Sequence, residues 1–336
     1  GWEKTYQWNY GVDLGFFDGR INLSFDYYDS KTKDLLFSRT LPVTSAITAW
    51  GSPMATWQNI GETSNKGYEI QLSTVNVKSR NFQWSSSISY THNDEKIVDL
   101  PDGDLIAKKL FEGHPIKTFY DFKYAGIWST TEEEEAAKYG CQPGYVKIET
   151  VEQFTTDENG NLVGDGGVHT YSNTRDLQIL GSNVPDGILG VNNTFKYRDF
   201  DLSVFAIVRY GQMIDSKTIG WYSANGNNQP RGTNYWTPEN QSAYFPRPGI
   251  ASTTGIGSLK YIDGSYAKIK NITLGYTFPK KLCKTLGLEQ CRLYATAYNV
   301  FVLPFKSELK HTDPENNGSD TFPLYKTYLL GLNVSF

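Results

Sequence analysis

Six aromatic residues stand where a ligand could meet them. Trp50, Trp57, Trp221, Tyr222, Tyr235 and Trp236 fall in the long connections between predicted strands. Aromatic faces stack on sugar rings, and binding pockets use a few such anchors. The competing use of these side chains is packing within the loops. Other chemistry is sparse. His92, His114, His169 and His311 are scattered, and there is no HExxH, GxSxG or P-loop. No carboxylate pair stands out, although a glycosidase pair would leave no motif. Cys141, Cys283 and Cys291 form no CxxC and have no neighbouring histidine, so zinc is not expected. The sequence points to no catalytic residue, no metal and no cofactor.

Two acidic stretches need weighing. Asp157, Asn159 and Asn161 fit the first three oxygen positions of a calcium loop. Position 6, which needs Gly, is Leu162, and position 12, which needs Glu, is Val168. The stretch up to Asp165 therefore reads as a Gly/Asn turn in a loop hairpin. Thr131 with Glu134 makes a capping box ahead of Ala136-Ala-Lys-Tyr139, and acids at a helix start suit the dipole. This predicts a short surface helix whose glutamate run, 132–135, is a solvated face.

The elements that must position these residues announce themselves by period-2 alternation. Tyr10, Val12, Leu14 and Phe16 alternate with Asn9, Gly11, Asp13 and Gly15. Asp18-Gly19 signals a tight hairpin, and Ile21, Leu23, Phe25 and Tyr27 then oppose Asn22, Ser24 and Asp26. Tyr68, Ile70 and Leu72 oppose Glu69, Gln71 and Ser73; Phe82, Trp84, Ile88 and Tyr90 oppose Gln83, Ser85, Ser87 and Ser89. Leu189, Val191, Phe195 and Tyr197 oppose Gly190, Asn192, Thr194 and Lys196, and Leu202, Val204, Ala206, Val208 and Tyr210 follow. Strands over 264–278 and 291–303 come next. Tyr328, Leu330, Leu332, Val334 and Phe336 make a ninth, ending on an aromatic residue.

Composition agrees with an all-β chain: aromatic residues are 15%, charged residues 20%, glycines number 31 and the net charge is −4. That charge argues against a nucleic-acid surface, and the aromatics argue against disorder. No run approaches the ~18 apolar residues of a spanning helix. A soluble sandwich would alternate too, but three features favour an antiparallel transmembrane β-barrel wall. The apolar face carries Tyr or Phe near strand ends, the other face is small and polar, and the connections alternate in length. Those at 18–20, 78–81, 198–199 and 279–290 are short; those at 30–66, 91–186, 212–263 and 304–324 are long. Parity puts the long connections and Gly1 outside the cell and the last residue on the periplasmic side. An odd count of strands cannot close an even-numbered barrel. An open edge in lipid leaves backbone groups unsatisfied, so another polypeptide segment is expected to supply the rest. Gly1, with Met54 and Met213 as the only methionines, fits a processed product or a piece of something larger. No signal peptide opens the chain.

Short stretches then match one family in its own order over nearly the whole chain. They are Trp2-Glu-Lys-Thr-Tyr-Gln-Trp-Asn9, Phe25-Asp-Tyr-Tyr28, Lys33-Asp-Leu-Leu36, Asn59-Ile-Gly61 and Asn65-Lys-Gly-Tyr-Glu69. Phe122-Lys-Tyr-Ala-Gly-Ile-Trp128, Asn192-Asn-Thr-Phe195, Phe200-Asp-Leu-Ser-Val-Phe205 and Tyr235-Trp-Thr-Pro-Glu-Asn240 follow. The last are Asp263-Gly-Ser-Tyr266, Lys270-Asn-Ile-Thr-Leu-Gly-Tyr276 and Gly331-Leu-Asn-Val-Ser-Phe336. The chain resembles the C-terminal part of the SusC/RagA-type TonB-dependent outer-membrane transporters of Bacteroidetes.

The resemblance implies a 22-stranded plugged barrel, with residues 1–336 as roughly strands 14 to 22 and the plug and N-terminal strands lying before Gly1. It implies a SusD-type surface lipoprotein as lid, a glycan or sometimes a peptide as substrate, and import driven through TonB by the proton gradient. The terminal strand, Tyr328 to Phe336, becomes a barrel-assembly signal. The lid adds a third use for the loop aromatics, and the match at 236–240 looks like a recurring structural turn. Many relatives are more acidic near Asp157, which puts metal binding there in doubt for this chain. Cys283 and Cys291 flank a short turn at two places where relatives usually carry apolar residues. In an oxidising periplasm they are either a disulfide or two packed thiols. The rival readings are a secreted or surface-exposed carbohydrate-binding β-sandwich and a surface glycan hydrolase.

Overall fold

The computed structural model describes residues 1–40, 48–49, 52–158, 161–222 and 232–336, so Trp50 and Asn159 lie outside the described residues. Nine strands form one sheet in strict sequence order. They are β1 (Lys4–Phe16), β2 (Ile21–Lys33), β3 (Glu62–Lys78), β4 (Phe82–Asp99), β5 (Gly187–Tyr197), β6 (Phe200–Tyr210), β7 (Tyr266–Thr277), β8 (Gln290–Pro304) and β9 (Thr327–Ser335). Every neighbouring pair is antiparallel. The sheet is open, with β1 and β9 at its two edges. A sandwich needs two large sheets face to face. Among the described residues the other sheets have three strands or two, so the sandwich alternative fails.

Register sorts the side chains into two faces. Leu23, Leu72, Ile88, Val191 and Ala206 line up across β2 to β6, and Leu202, Leu274, Ala295 and Leu330 across β6 to β9. Toward β9 this apolar face is bare, with Leu330 74% exposed and Leu274 52%, whereas Leu23, Leu72, Ile88 and Val191 are half-buried. An aromatic row bounds it at each end. Phe82, Tyr197, Phe200 and Tyr276 are paired neighbours at the short-turn end. Tyr10, Tyr27, Tyr68 and His92 are paired neighbours at the other, where the Tyr90 and Tyr210 hydroxyls meet at 2.8 Å. The run from Phe82 to Tyr90 covers about 26 Å of strand at ~3.3 Å per residue. With the usual tilt of ~40° that is about 20 Å of height, close to the ~25 Å apolar band of an outer-membrane barrel. Charge returns just beyond, where Lys66 pairs with Asp29 at 2.8 Å.

The inner face is small and polar. Ser24 donates to Asp13 at 2.6 Å, Ser203 donates to Asn192 at 3.1 Å, and Arg292 grips Asp201 through two bonds of 3.0 and 2.5 Å. Close approach across the sheet depends on Gly67. The Tyr28 ring lies against it, and its hydroxyl donates to Asn93 at 2.5 Å. A Cβ on Gly67 would strike that ring and the His92 carbonyl.

The buried hydrophobic clusters sit in the long connections, while the wall buries only scattered residues such as Ile97 and Tyr266. Trp128, Ala136, Cys141, Tyr145 and Ile250 form one cluster; Ile214, Ile219, Leu259, Ile262 and Leu309 form another. A three-stranded sheet of Val146–Glu149, Thr118–Ile127 and Leu177–Ser182 organises this layer. The expected loop hairpin is present as Phe154–Thr156 with Leu162–Gly164, closed by Asp157 accepting from the Asn161 backbone at 2.8 Å. The expected short helix is Glu133–Lys138, but its cap is displaced. Ser129 N–H donates to Glu132 at 3.1 Å, so the box is Ser129 with Glu132 and not Thr131 with Glu134. Lys147 explains the shift: it takes the other Glu132 oxygen at 2.7 Å, so Glu132 is not merely solvated. Of the two cysteine alternatives, the structure has thiols: Cys283 and Cys291 are unbridged. Cys283 is buried on the helix Lys280–Thr285, its Sγ aimed at the Phe278 carbonyl. Cys291 pairs with Val334 on the apolar face.

Gly67→Val in the assembled barrel is expected to cost about 1–3 kcal/mol by overpacking, read as a lower temperature for heat-modified migration on SDS gels. Adding Tyr28→Ala should recover part of it, and an undiminished loss in the double variant would exclude the ring as the cause.

Candidate functional site

A cleft of about 720 Å³ opens between three long connections. Tyr124 comes from the central strand of the three-stranded loop sheet. Tyr222 follows the short helix Lys217–Gly220, which Ser216 caps by accepting from Ile219 N–H at 3.4 Å. Tyr244 and Phe245 come from the connection 211–265. Glu308, Lys310 and His311 are held by the 3₁₀ turn Ser307–Leu309, whose Leu309 is fully buried in the second cluster.

The aromatic floor is interlocked. Tyr222 stacks on Phe245 with centroids 4.7 Å apart, and Tyr124 meets Tyr244 at 5.3 Å. Each phenol donates to a backbone carbonyl: Tyr124 to Tyr244 at 3.1 Å, Tyr244 to Leu259 at 2.5 Å and Tyr222 to Pro246 at 2.5 Å. Burial pushes the Tyr124 and Tyr222 hydroxyls up to about 12 and raises that of Tyr244 as well, so all three stay protonated donors. Their hydroxyls serve the fold, leaving ring surface for a ligand. The polar groups around the cleft include Asn234, Gln241, Glu308, Lys310 and His311. Apolar rings with a few convergent polar groups suit a sugar or a peptide.

Of the aromatics singled out by sequence, Tyr222 alone among the described residues lines this cleft. Trp236 is 2% exposed and packs over Gly144, as part of the loop core. The turn after it is structural: Asn240 donates its backbone N–H to Thr237 and its side chain to Asn234. Trp57 is 68% exposed on the strand Ala55–Asn59, in a different connection. Trp221 is exposed and donates to Asp320 at 3.0 Å, and Tyr235 is exposed as well. His169 is a loop clamp, with Nε2 2.9 Å from a fully buried Asp176 that also accepts from the Val151 and Ser172 backbones. Sequence reasoning missed Tyr124, Tyr244, Phe245, Glu308, Lys310 and His311. Tyr124 lay within the matched stretch 122–128; the others carried no local signal.

An ionic cluster lies behind the 307–312 wall. Lys268 of β7, its side chain 1% exposed, donates to Asp313 at 2.5 Å and Glu315 at 2.6 Å. Lys270 pairs with the other Glu315 oxygen. Register shifts at this point of β7, with Lys270 as the extra residue against β6, and such bulges re-aim side chains. Burial works against the Glu315 anion, but the two lysines outweigh it and hold the carboxyl below its ordinary 4.5.

Comparison with known proteins gives a consistent answer. A family model described as TonB dependent receptor-like, beta-barrel matches residues 1–300. TonB-dependent receptor P3 of Formosa agariphila is 30% identical over all of this chain and 34% of its own length. TonB-dependent receptor SusC of Bacteroides thetaiotaomicron is 29% identical over all of this chain and 32% of its own length. A solved structure of the RagAB peptide transporter superposes with a TM-score of 0.76 at 22% identity, covering all of this chain and 36% of that one. The chain thus spans about a third of the length of its relatives.

Trp236→Ala should cost about 3–5 kcal/mol of loop-layer stability, whereas Trp57→Ala should stay within about 0.5 kcal/mol; limited proteolysis of the assembled protein separates them. The Glu315 carboxyl is lowered on folding, so its contribution is complete above pH 4.5 and is lost as the pH falls through the folded value. Hydrogen exchange over 305–316 should therefore be flat above pH 4.5, after correction for the intrinsic rate, and rise only below it. A loss of protection setting in near neutral pH would contradict the assignment.

Proposed function

The chain belongs to the TonB dependent receptor-like β-barrel family of outer-membrane transporters, and from that premise we propose that it is the C-terminal part of a plugged 22-stranded importer of glycan oligosaccharides or peptides. The observation that carries this is the two-faced wall, an apolar band between aromatic rows on one side and a small polar face on the other, together with a ligand-sized cleft in the long connections. The edges of β1 and β9 would pair with strands of the preceding segment, whose plug fills the inner space and engages TonB. The long connections then face outward, the short turns and Phe336 face the periplasm, and the terminal strand serves as the assembly signal.

A SusD-like surface lipoprotein would cover the cleft. The exposed Trp57, Trp221 and Tyr235 suit contact with that lid or with the substrate. Ring surface with tied phenols favours pyranose faces. The RagAB likeness keeps peptides in view, since that protein is described as a peptide transporter.

The test uses the full transporter with its lipoprotein in outer membranes, offered labelled oligosaccharides and labelled peptides. Uptake of one class should stop with a proton uncoupler. Gln241→Ala with His311→Ala should raise KM about tenfold, or ~1.4 kcal/mol, with assembly intact. Uptake that ignores the uncoupler, or cleft variants that ignore substrate, would sink this reading.

A further inference from the structure

We infer that Lys268, on the wall strand β7, is the positioning residue of the cleft: through Asp313 and Glu315 it holds the 310–312 arc, and so His311 and Lys310, in binding position. The inference rests on the cleft being the ligand site.

The arc runs between two fixed points. Leu309 is fully buried at one end. At the other, Asp313 takes the Lys268 ammonium on one oxygen and the Glu315 backbone N–H on the other at 3.1 Å, which starts the turn Pro314–Asn316. Three residues between two anchors have little freedom, so fixing Asp313 fixes His311. Farther along, Gly318 accepts from Lys217 N–H at 2.9 Å, and a Cβ there would strike the Asp215 carbonyl. That contact ties the same connection to the helix before Tyr222, whose Ile219 shares the buried cluster of Leu309.

The chemistry of the latch is that of a buried charge. An ammonium with 1% of its side chain exposed is tolerated only when paired and hydrogen-bonded. Removing one partner of such a set leaves the others uncompensated. Lys268→Met would leave Asp313 without its cation and Glu315 with Lys270 alone. The arc would then sample positions in which the cleft is incomplete. A site that is competent only part of the time binds more weakly in proportion, while a loaded site is unchanged.

The full transporter with its lipoprotein tests this by uptake kinetics and by hydrogen exchange of 305–316. Lys268→Met should raise KM at least tenfold with the maximal rate within twofold, and lose protection in that segment. Lys268→Arg, which keeps the charge, should recover most of both. Lost protection with an unchanged KM, or intact protection with any KM, overturns the inference. If Lys268→Met does not assemble, Asp313→Asn with Glu315→Gln removes the same ionic partners from the loop side and is read against the same outcomes. His311→Ala separates the two claims. If it leaves KM unchanged, the cleft is not the ligand site; if it raises KM and Lys268→Met does not, only the positioning role fails.

Discussion

Backbone hydrogen bonds with nowhere else to go are the constraint on which this molecule is built. In hydrocarbon an unpaired N–H or C=O costs several kcal/mol, so each strand must give its polar groups to a neighbour and its side chains to two different solvents. Strict sequence order satisfies this with the least rearrangement: each strand from β2 to β8 pairs with the strand before it and the strand after it. The side chains are then free to differ by face. Leu274 and Leu330 stay bare on one side, while Asp201 and Arg292 meet on the other.

The same division explains what the amino-acid sequence revealed. The two faces meet two environments, so the alternation Ile21, Leu23, Phe25 against Asn22, Ser24, Asp26 is local and visible. All nine strands and the parity of the connections were legible for this reason. The loop layer obeys a different rule, because its core is assembled from residues far apart in the chain. Trp57 and Trp236 both lie in long connections, yet one is bare and the other packs on Gly144; only the turn match at 236–240 set them apart in sequence. Thr131 with Glu134 was a sound local cap, and it lost to Ser129 with Glu132 because Lys147 arrives from a distant strand. The cleft joins Tyr124 to Tyr244 and His311, and no spacing rule connects them.

Wall and loops are nevertheless joined mechanically. The register shift on β7 places Lys270 as an extra residue beside Lys268, so both ammonium groups reach Glu315. A disturbance of regular pairing in the wall thus becomes the foundation of the 305–326 connection. Fixed strands are better platforms for a binding surface than loops alone, and here the platform reaches the cleft through one buried side chain.

The alternation of short turns and long connections also bears on how such a protein changes over generations. Closing a flexible loop costs about (3/2)RT ln n, or ~0.6 kcal/mol for each doubling. Stretching a ten-residue crossing to the length of 100–186 is roughly three doublings, so about 2 kcal/mol. Insertions at that end are cheap and leave every rung of the wall in register, whereas one residue added within a strand must be absorbed as a bulge, as at Lys270, or it turns the later side chains to the wrong solvent. New recognition surfaces can therefore accumulate on one rim while the membrane-spanning pattern stays fixed.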